Sequence, residues 1–367
     1  NVPALDLPFI RPMMEYGVSS IPEQPDAVVV RNATIWTMGS QGRMDNADLL
    51  IKNGEVVAVG GSWHGVTGAA SAASYASDRQ GYGVPMPGTY AIPEPYSYRP
   101  HIPGASPEES AMACLELGFK MFDMHSSGRP AAIIVEPIIS AGGVLVPPKC
   151  FIEGLRKAAD DRNMLLIFDE AQTAFGRIGH KTGAEYHGVI PDIISVSKTI
   201  GGGLPLAGVI TTDQIEKTVH DKGFTYYTSH VSDPLPAHVG LAVLKVIKDD
   251  QLIERAQTMG AYLFKKLNNL QQKYEVIGDV RGEGLLIGVE LVKERKNREP
   301  YHELGKITTE RCYHKGLSMN IRRRKERGSV WRIAPPLTVS YSEIDRAIDI
   351  LDLSLAESLD EIARSTV

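Results

Sequence analysis

Long apolar runs are missing from this chain of 367 residues. No stretch reaches the roughly eighteen consecutive apolar residues from which a membrane-spanning helix is built. The first residues scatter Pro, Asp and Glu instead of placing a basic cluster before an apolar run, so no secretory leader is read here and a soluble, cytoplasmic protein is expected. Cysteine is scarce. Cys114, Cys150 and Cys312 are an odd three without paired spacing, which argues against a disulfide framework and against a Cys-based zinc site. The ten histidines form no zinc pair either. A surplus of one charge is also lacking, because 39 Lys and Arg face 44 Asp and Glu for a net charge of −5. With no long single-sign block, neither nucleic acid nor an anionic membrane is an expected partner, and a small-molecule substrate fits better. Internal repeats and low-complexity tracts are absent.

What remains is a chain whose 43% hydrophobic content supports a sizeable core, divided between one large and one smaller domain. Residues 1–26 carry several prolines and no sustained period, and read as an irregular arm. From Ala27 to Gly60 short β-branched runs (Val28-Val29-Val30, Thr34-Ile35-Trp36, Glu55-Val56-Val57) alternate with turn formers, which predicts a strand-and-hairpin unit. Farther on, Ala132 to Val135, Met164 to Phe168 and Ile193 to Val196 are near-continuous apolar strands, with a helical stretch from Phe151 to Asp161 between the first two. Strands alternating with helices predict an α/β fold with a mostly parallel sheet. Ligands of such sheets bind beyond the carboxyl ends of the strands, so Glu136, Asp169 and Lys198, each just after a strand, are expected to converge. From Ile247 onward helices alternate with Leu285 to Val289 and Val330 to Ile333, the texture of a smaller α+β domain. The last helix should pack Ile344, Ile348, Leu351 and Leu355 onto the core.

One stretch carries chemistry at a specific spacing. A strand ends Ile167-Phe168-Asp169-Glu170-Ala171-Gln172-Thr173. Gly176-Arg177, Pro191-Asp192-Ile193, Ser197-Lys198-Thr199 and Gly201-Gly202-Gly203-Leu204-Pro205 follow in that order. This resembles the signature of the class III aminotransferases, which use pyridoxal 5'-phosphate, and from Glu55 to the C-terminus the chain is similar to 2,2-dialkylglycine decarboxylases within that family. The resemblance implies the fold type I architecture of pyridoxal-phosphate-dependent transferases, with an atypical segment over 1–54, a cofactor-binding large domain over 55–246 and a small domain over 247–367. It further implies that Lys198 holds the cofactor aldehyde covalently and moves protons as a free amine, while Asp169 keeps the ring nitrogen protonated. Gln172 would contact the cofactor ring or the substrate carboxylate.

Gly61-Ser62-Trp63-His64-Gly65 looks like the family element whose aromatic residue covers the cofactor face, with Trp63 the form found in the decarboxylases. The resemblance continues through Phe224 to Pro234. There Ser229 takes the place of a threonine that reaches the cofactor phosphate of a partner subunit, which implies a homodimer or a dimer of dimers. Ser229, Val231 and Asp233 match ligands of that family's alkali metal ion site. Arg332, in Val330-Trp331-Arg332-Ile333-Ala334-Pro335-Pro336, stands where the family binds a substrate carboxylate with a planar fork.

Two stretches depart from the family. The glycine- and serine-rich phosphate loop is not found ahead of Trp63, and residues 27–60 resemble the opening β segment of amidohydrolases. The run Arg322-Arg323-Arg324-Lys325-Glu326-Arg327 replaces an apolar loop; it is read either as solvated surface or as an attractor for an acidic substrate. The implied activity is decarboxylation-dependent transamination of a small amino acid with a keto acid as acceptor. Ordinary aminotransfer, and a non-catalytic protein of the same fold acting as a binding or scaffold subunit, stay open.

Overall fold

A computed structural model of the chain describes residues 27–36, 43–52, 54–66, 68–76, 86–223, 233–324 and 328–365. Two units emerge, one up to Gly54 and the other from Glu55 onward. In the first, β1 (Ala27–Trp36) pairs antiparallel with β2 (Arg43–Lys52), running from Ala27 opposite Lys52 to Trp36 opposite Arg43. The expected runs at 28–30 and 34–36 are therefore one strand. The third run, Glu55 to Val57, does not belong to this hairpin: it starts β3 (Glu55–Val59), a strand of the other unit's parallel sheet. The consecutive residues Val57, Ala58 and Val59 are all buried there, and only a strand covered on both faces tolerates such a run.

That sheet has six strands in the order β4-β3-β5-β6-β7-β8, with β4 (Thr89–Ile92), β5 (Pro130–Val135), β6 (Leu165–Asp169), β7 (Ile193–Val196) and β8 (Gly208–Thr211). All pairings are parallel except β7 with β8. Two short helices, α1 (Gly68–Ala72) and α4 (Gly183–His187), sit in its loops.

Helix α2 (Pro107–His125) starts where Ser106 and Glu109 satisfy each other's backbone N–H groups and Pro107 supplies a preset φ. It buries Ala111, Leu115, Phe119 and Phe122 against α3 (Lys149–Asp161). Helix α3 offers Phe151, Ile152, Leu155, Ala158 and Ala159, the stripe of a 3.6-residue period. Together they cover Ile133, Val135, Leu166 and Phe168 of the sheet. Two further helices, α5 (Asp213–Asp221) and α6 (Pro234–Asp249), follow β8.

The C-terminal part builds an antiparallel sheet in the order β11-β12-β10-β9, from β9 (Ile277–Glu283), β10 (Leu286–Leu291), β11 (Asn320–Arg324) and β12 (Gly328–Ile333). One face packs on α7 (Leu252–Lys273), α8 (His302–His314) and α9 (Tyr341–Ser365) around fully buried Trp331. Ile344, Ile348, Leu351 and Leu355 of α9 lie in this core, as their spacing predicts.

Candidate active site

The carboxyl ends of β5, β6 and β7 bring Glu136, Asp169 and Lys198 within electrostatic reach of one another, the convergence expected from the strand pattern. A cleft of about 600 Å³ opens there, bordered by Trp63, His64, Asp169, Ser195, Lys198 and Val209 among others.

Asp169 is 7% exposed. Its Oδ2 lies 2.8 Å from His64 Nδ1, and its Oδ1 accepts from the Ala171 N–H at 3.1 Å and the Ser195 hydroxyl at 3.2 Å. Burial pushes this carboxyl up, yet the hydrogen bond and charge of His64, the Ala171 N–H and the charge of Lys198 together hold it below the ordinary value. A carboxylate can only accept, so His64 Nδ1 carries the proton. The backbone N–H of His64 is in turn fixed by Ser74 Oγ at 2.8 Å, and its Nε2 is buried without a hydrogen-bond partner.

Glu136 lies in the same corner and behaves in the opposite way. It is 2% exposed, and burial pushes it up to about 7, the Asp169 charge adding to that and His64 opposing it. Its oxygens accept from the N–H of Trp63 at 2.8 Å and of Ser140 at 3.1 Å. One buried carboxyl group thus ties the Trp63 segment to the loop after β5.

Lys198 opens a short 3₁₀ turn, Lys198–Gly201, which closes at Gly202. Its φ of 55° is in the left-handed region, where a side chain other than glycine is strained by about 1 kcal/mol or more. Burial lowers its ammonium, opposed by the charges of Asp169 and Glu136 and assisted by Arg332.

Arg332, on β12, reaches over from the second sheet and donates from Nη1 to Ser140 Oγ at 3.3 Å. It also borders a separate cavity of about 670 Å³ with Asn320 and Pro335. Gln172 is half-buried on the turn after β6, where Ala171 forms the cleft wall instead. Ser229 and Val231 lie outside the described residues. Asp233 immediately precedes α6 at its N-cap position, and among the described residues no group of three or more His, Cys, Asp or Glu side chains could hold a metal ion.

Sequence reasoning did not find the partnership of His64 and Ser195 with Asp169, or the hold of Glu136 on Trp63. These contacts span 105, 26 and 73 residues, and no local spacing reports them.

A family model described as aminotransferase class-III matches residues 30–355. The chain is 43% identical over 311 residues to an uncharacterized aminotransferase of Schizosaccharomyces pombe, covering 85% of this chain and 69% of that protein. It is 35% identical over 268 residues to a leucine/methionine racemase of Thermococcus litoralis, covering 72% and 59%. With alanine–glyoxylate aminotransferase 2 of Homo sapiens it shares 36% over 241 residues, covering 64% and 45%. The chain thus spans between 45% and 69% of the length of these relatives. Among solved structures, an (S)-enantioselective omega-transaminase from Thermomicrobium roseum superposes with a TM-score of 0.76 at 30% identity, over 83% of this chain and 68% of that one. An omega transaminase from Pseudomonas jessenii in complex with PMP gives 0.77 at 26%, over 84% and 69%. Neighbours of this kind are transaminases built on the mixed α/β fold described above, the fold type I of pyridoxal-phosphate enzymes.

Proposed function

The chain belongs to the class III aminotransferase family, and from that premise we propose that it binds pyridoxal phosphate in the Lys198 cleft and transfers the amino group of a small amino acid to a keto acid. The observation that carries this reading is the pairing, in one cleft, of a partly desolvated lysine with a buried carboxylate kept ionised by His64. That donor set fits the cofactor, which requires an amine at its aldehyde and an anion at its ring nitrogen. When bound, pyridoxal phosphate supplies a ring that takes up the electron pair of a bond broken at the substrate α-carbon.

The residues do the rest. Lys198 Nζ would hold the cofactor at its aldehyde and, as a free amine, would carry a proton to and from the substrate. Asp169 holds the ring-nitrogen proton, and His64 keeps its carboxylate oriented and charged. Trp63, which borders the cleft with its backbone fixed by Glu136, would cover the cofactor ring and exclude water. Arg332 receives the substrate carboxylate, and Gln172 contacts the cofactor or that carboxylate from its turn. By resemblance, Ser229 would donate to the cofactor phosphate of a second subunit, so the working form would be a homodimer or a dimer of dimers, and Ser229, Val231 and Asp233 would be ligands of an alkali ion.

Orientation of the substrate by Trp63, Gln172 and Arg332 would select between losing carbon dioxide and losing a proton. Trp63 favours decarboxylation as the first step.

Borohydride reduction followed by peptide mass analysis tests the assignment. The cofactor should be fixed to Lys198, and Lys198→Ala should lose both the attachment and turnover. A label on another lysine, or no attachment at all, would sink the reading and leave a non-catalytic protein of the same fold.

A further inference from the structure

Resting on the aminotransferase reading and naming its substrate class, we propose that Arg322 forms with Arg332 a two-cation platform that selects amino acids and keto acids carrying a second acid group. The argument starts from strand register. β11 and β12 pair antiparallel, with Asn320 opposite Arg332 and Arg322 opposite Val330. Opposed residues share a face, and so do residues two apart along a strand, so Arg322, Val330 and Arg332 lie on one side of the hairpin.

Contacts identify that side. Arg332 donates to Ser140 Oγ, and Val330 packs against Gly143, both in the loop that follows β5 beside Glu136. Trp331 and Ile321, at the intervening positions, belong to the helix-covered core on the opposite side. Arg322 and Arg332 are therefore diagonal neighbours about 7–8 Å apart at the backbone, a separation that two long side chains readily span.

Their settings differ in a useful way. Arg332 is half-buried and close to Lys198, whereas Arg322 is exposed. Burial lowers the hold of Arg332 on its proton, and the like charge of Arg322 adds to this, against the opposing charge of Glu136. Among the described residues Arg322 has no carboxylate partner to relieve that repulsion. A ligand with two anionic ends turns it into two attractions: the inner acid group on Arg332, near the lysine, and the outer one on Arg322. A monoacid engages only the inner position. The arginines at 323 and 324 and the residues beyond them are not needed for this arrangement.

The test uses the cofactor-loaded protein and two unreactive acids of equal chain length, glutarate and pentanoate, titrated by calorimetry. Glutarate should bind about tenfold or more tighter than pentanoate, which is roughly one decade of affinity. Arg322→Gln should bring that ratio down to within about threefold, while Arg322→Lys should retain part of it, because a point charge replaces the fork. The preference should also weaken as salt is raised. Equal binding of the two acids, or a ratio untouched by Arg322→Gln, overturns the platform. If the ratio fails while amino transfer from a monoacid donor such as alanine proceeds, only the second position is lost. If no donor is turned over, the aminotransferase reading falls, and the glutarate ratio still decides on the arginines.

Discussion

Asp169 and Glu136 are two buried carboxyl groups in one corner whose surroundings drive them apart. His64 and Lys198 hold Asp169 charged, whereas burial and the Asp169 charge outweigh His64 and two backbone N–H groups at Glu136, which rises to about 7. Such a divergence assigns different work to chemically similar groups. It also fixes how stability responds to pH. Asp169, with its value depressed, contributes stability above the ordinary aspartate range that is lost as the pH falls through its folded value. Glu136, with its value raised from 4.5, favours the folded state below that pH, and this contribution is lost as the pH rises through about 7. The difference is on the order of 3 kcal/mol. Glu170 is shifted in the same direction by its own burial, so the glutamates need to be separated by substitution. Glu136→Gln should flatten the fall in urea-measured stability between pH 5 and pH 8. A curve parallel to that of the unmodified protein would remove Glu136 from this role.

At the scale of elements, α2 begins with a reciprocal cap, Ser106 Oγ accepting from Glu109 N–H at 3.1 Å and Glu109 Oε2 from Ser106 N–H at 2.8 Å. Ser106→Ala should lower stability by about 1 kcal/mol, visible as a shifted denaturation midpoint without a changed slope. Elements like these show what can be read from sequence and what cannot. β5, β6 and β7 stand out as unbroken apolar runs because both faces of a parallel sheet are covered, and the residues ending them reach the cleft. The Val-rich run of β3 reads as part of the hairpin because it follows two similar runs, both of which lie in β1. Nothing local indicates that its partners are Ala132 and Ile133, more than seventy residues on. Lys198 and Asp169 are legible as a spaced signature within one stretch of chain. The braces around them are not, since the Asp169 carboxylate is held by a histidine from a loop before α1.

At the scale of the molecule, the two sheets of the unit from Glu55 onward are joined by a buried charge cluster. Glu290 on β10 accepts from the Tyr96 hydroxyl, from Arg99 Nε at 2.6 Å and from Arg281 Nη1 at 2.8 Å. Arg281 in turn donates to the carbonyl oxygens of Gly143 at 2.7 Å and Val144 at 3.1 Å. Removing one partner of such a set strands a buried charge and typically costs 3–5 kcal/mol. The loop that carries Ser140 is thereby fastened to the second sheet, which keeps Arg332 in register with the Lys198 cleft.

The opposite border of that cleft is built very differently. Among the described residues β8 pairs only with β7, and its four residues are all exposed, although Gly208 and Val209 line the cleft. Hydrogen exchange follows the free energy of local opening, which is low for a strand held on one side. Amides of Gly208–Thr211 should therefore exchange well before those of β5 and β6, and loading with pyridoxal phosphate should slow them selectively. Uniform protection across the sheet would contradict this. If the pattern holds, warming should release the cofactor by fraying at this rim before the rest of the sheet melts, so loss of yellow colour would precede loss of helical signal.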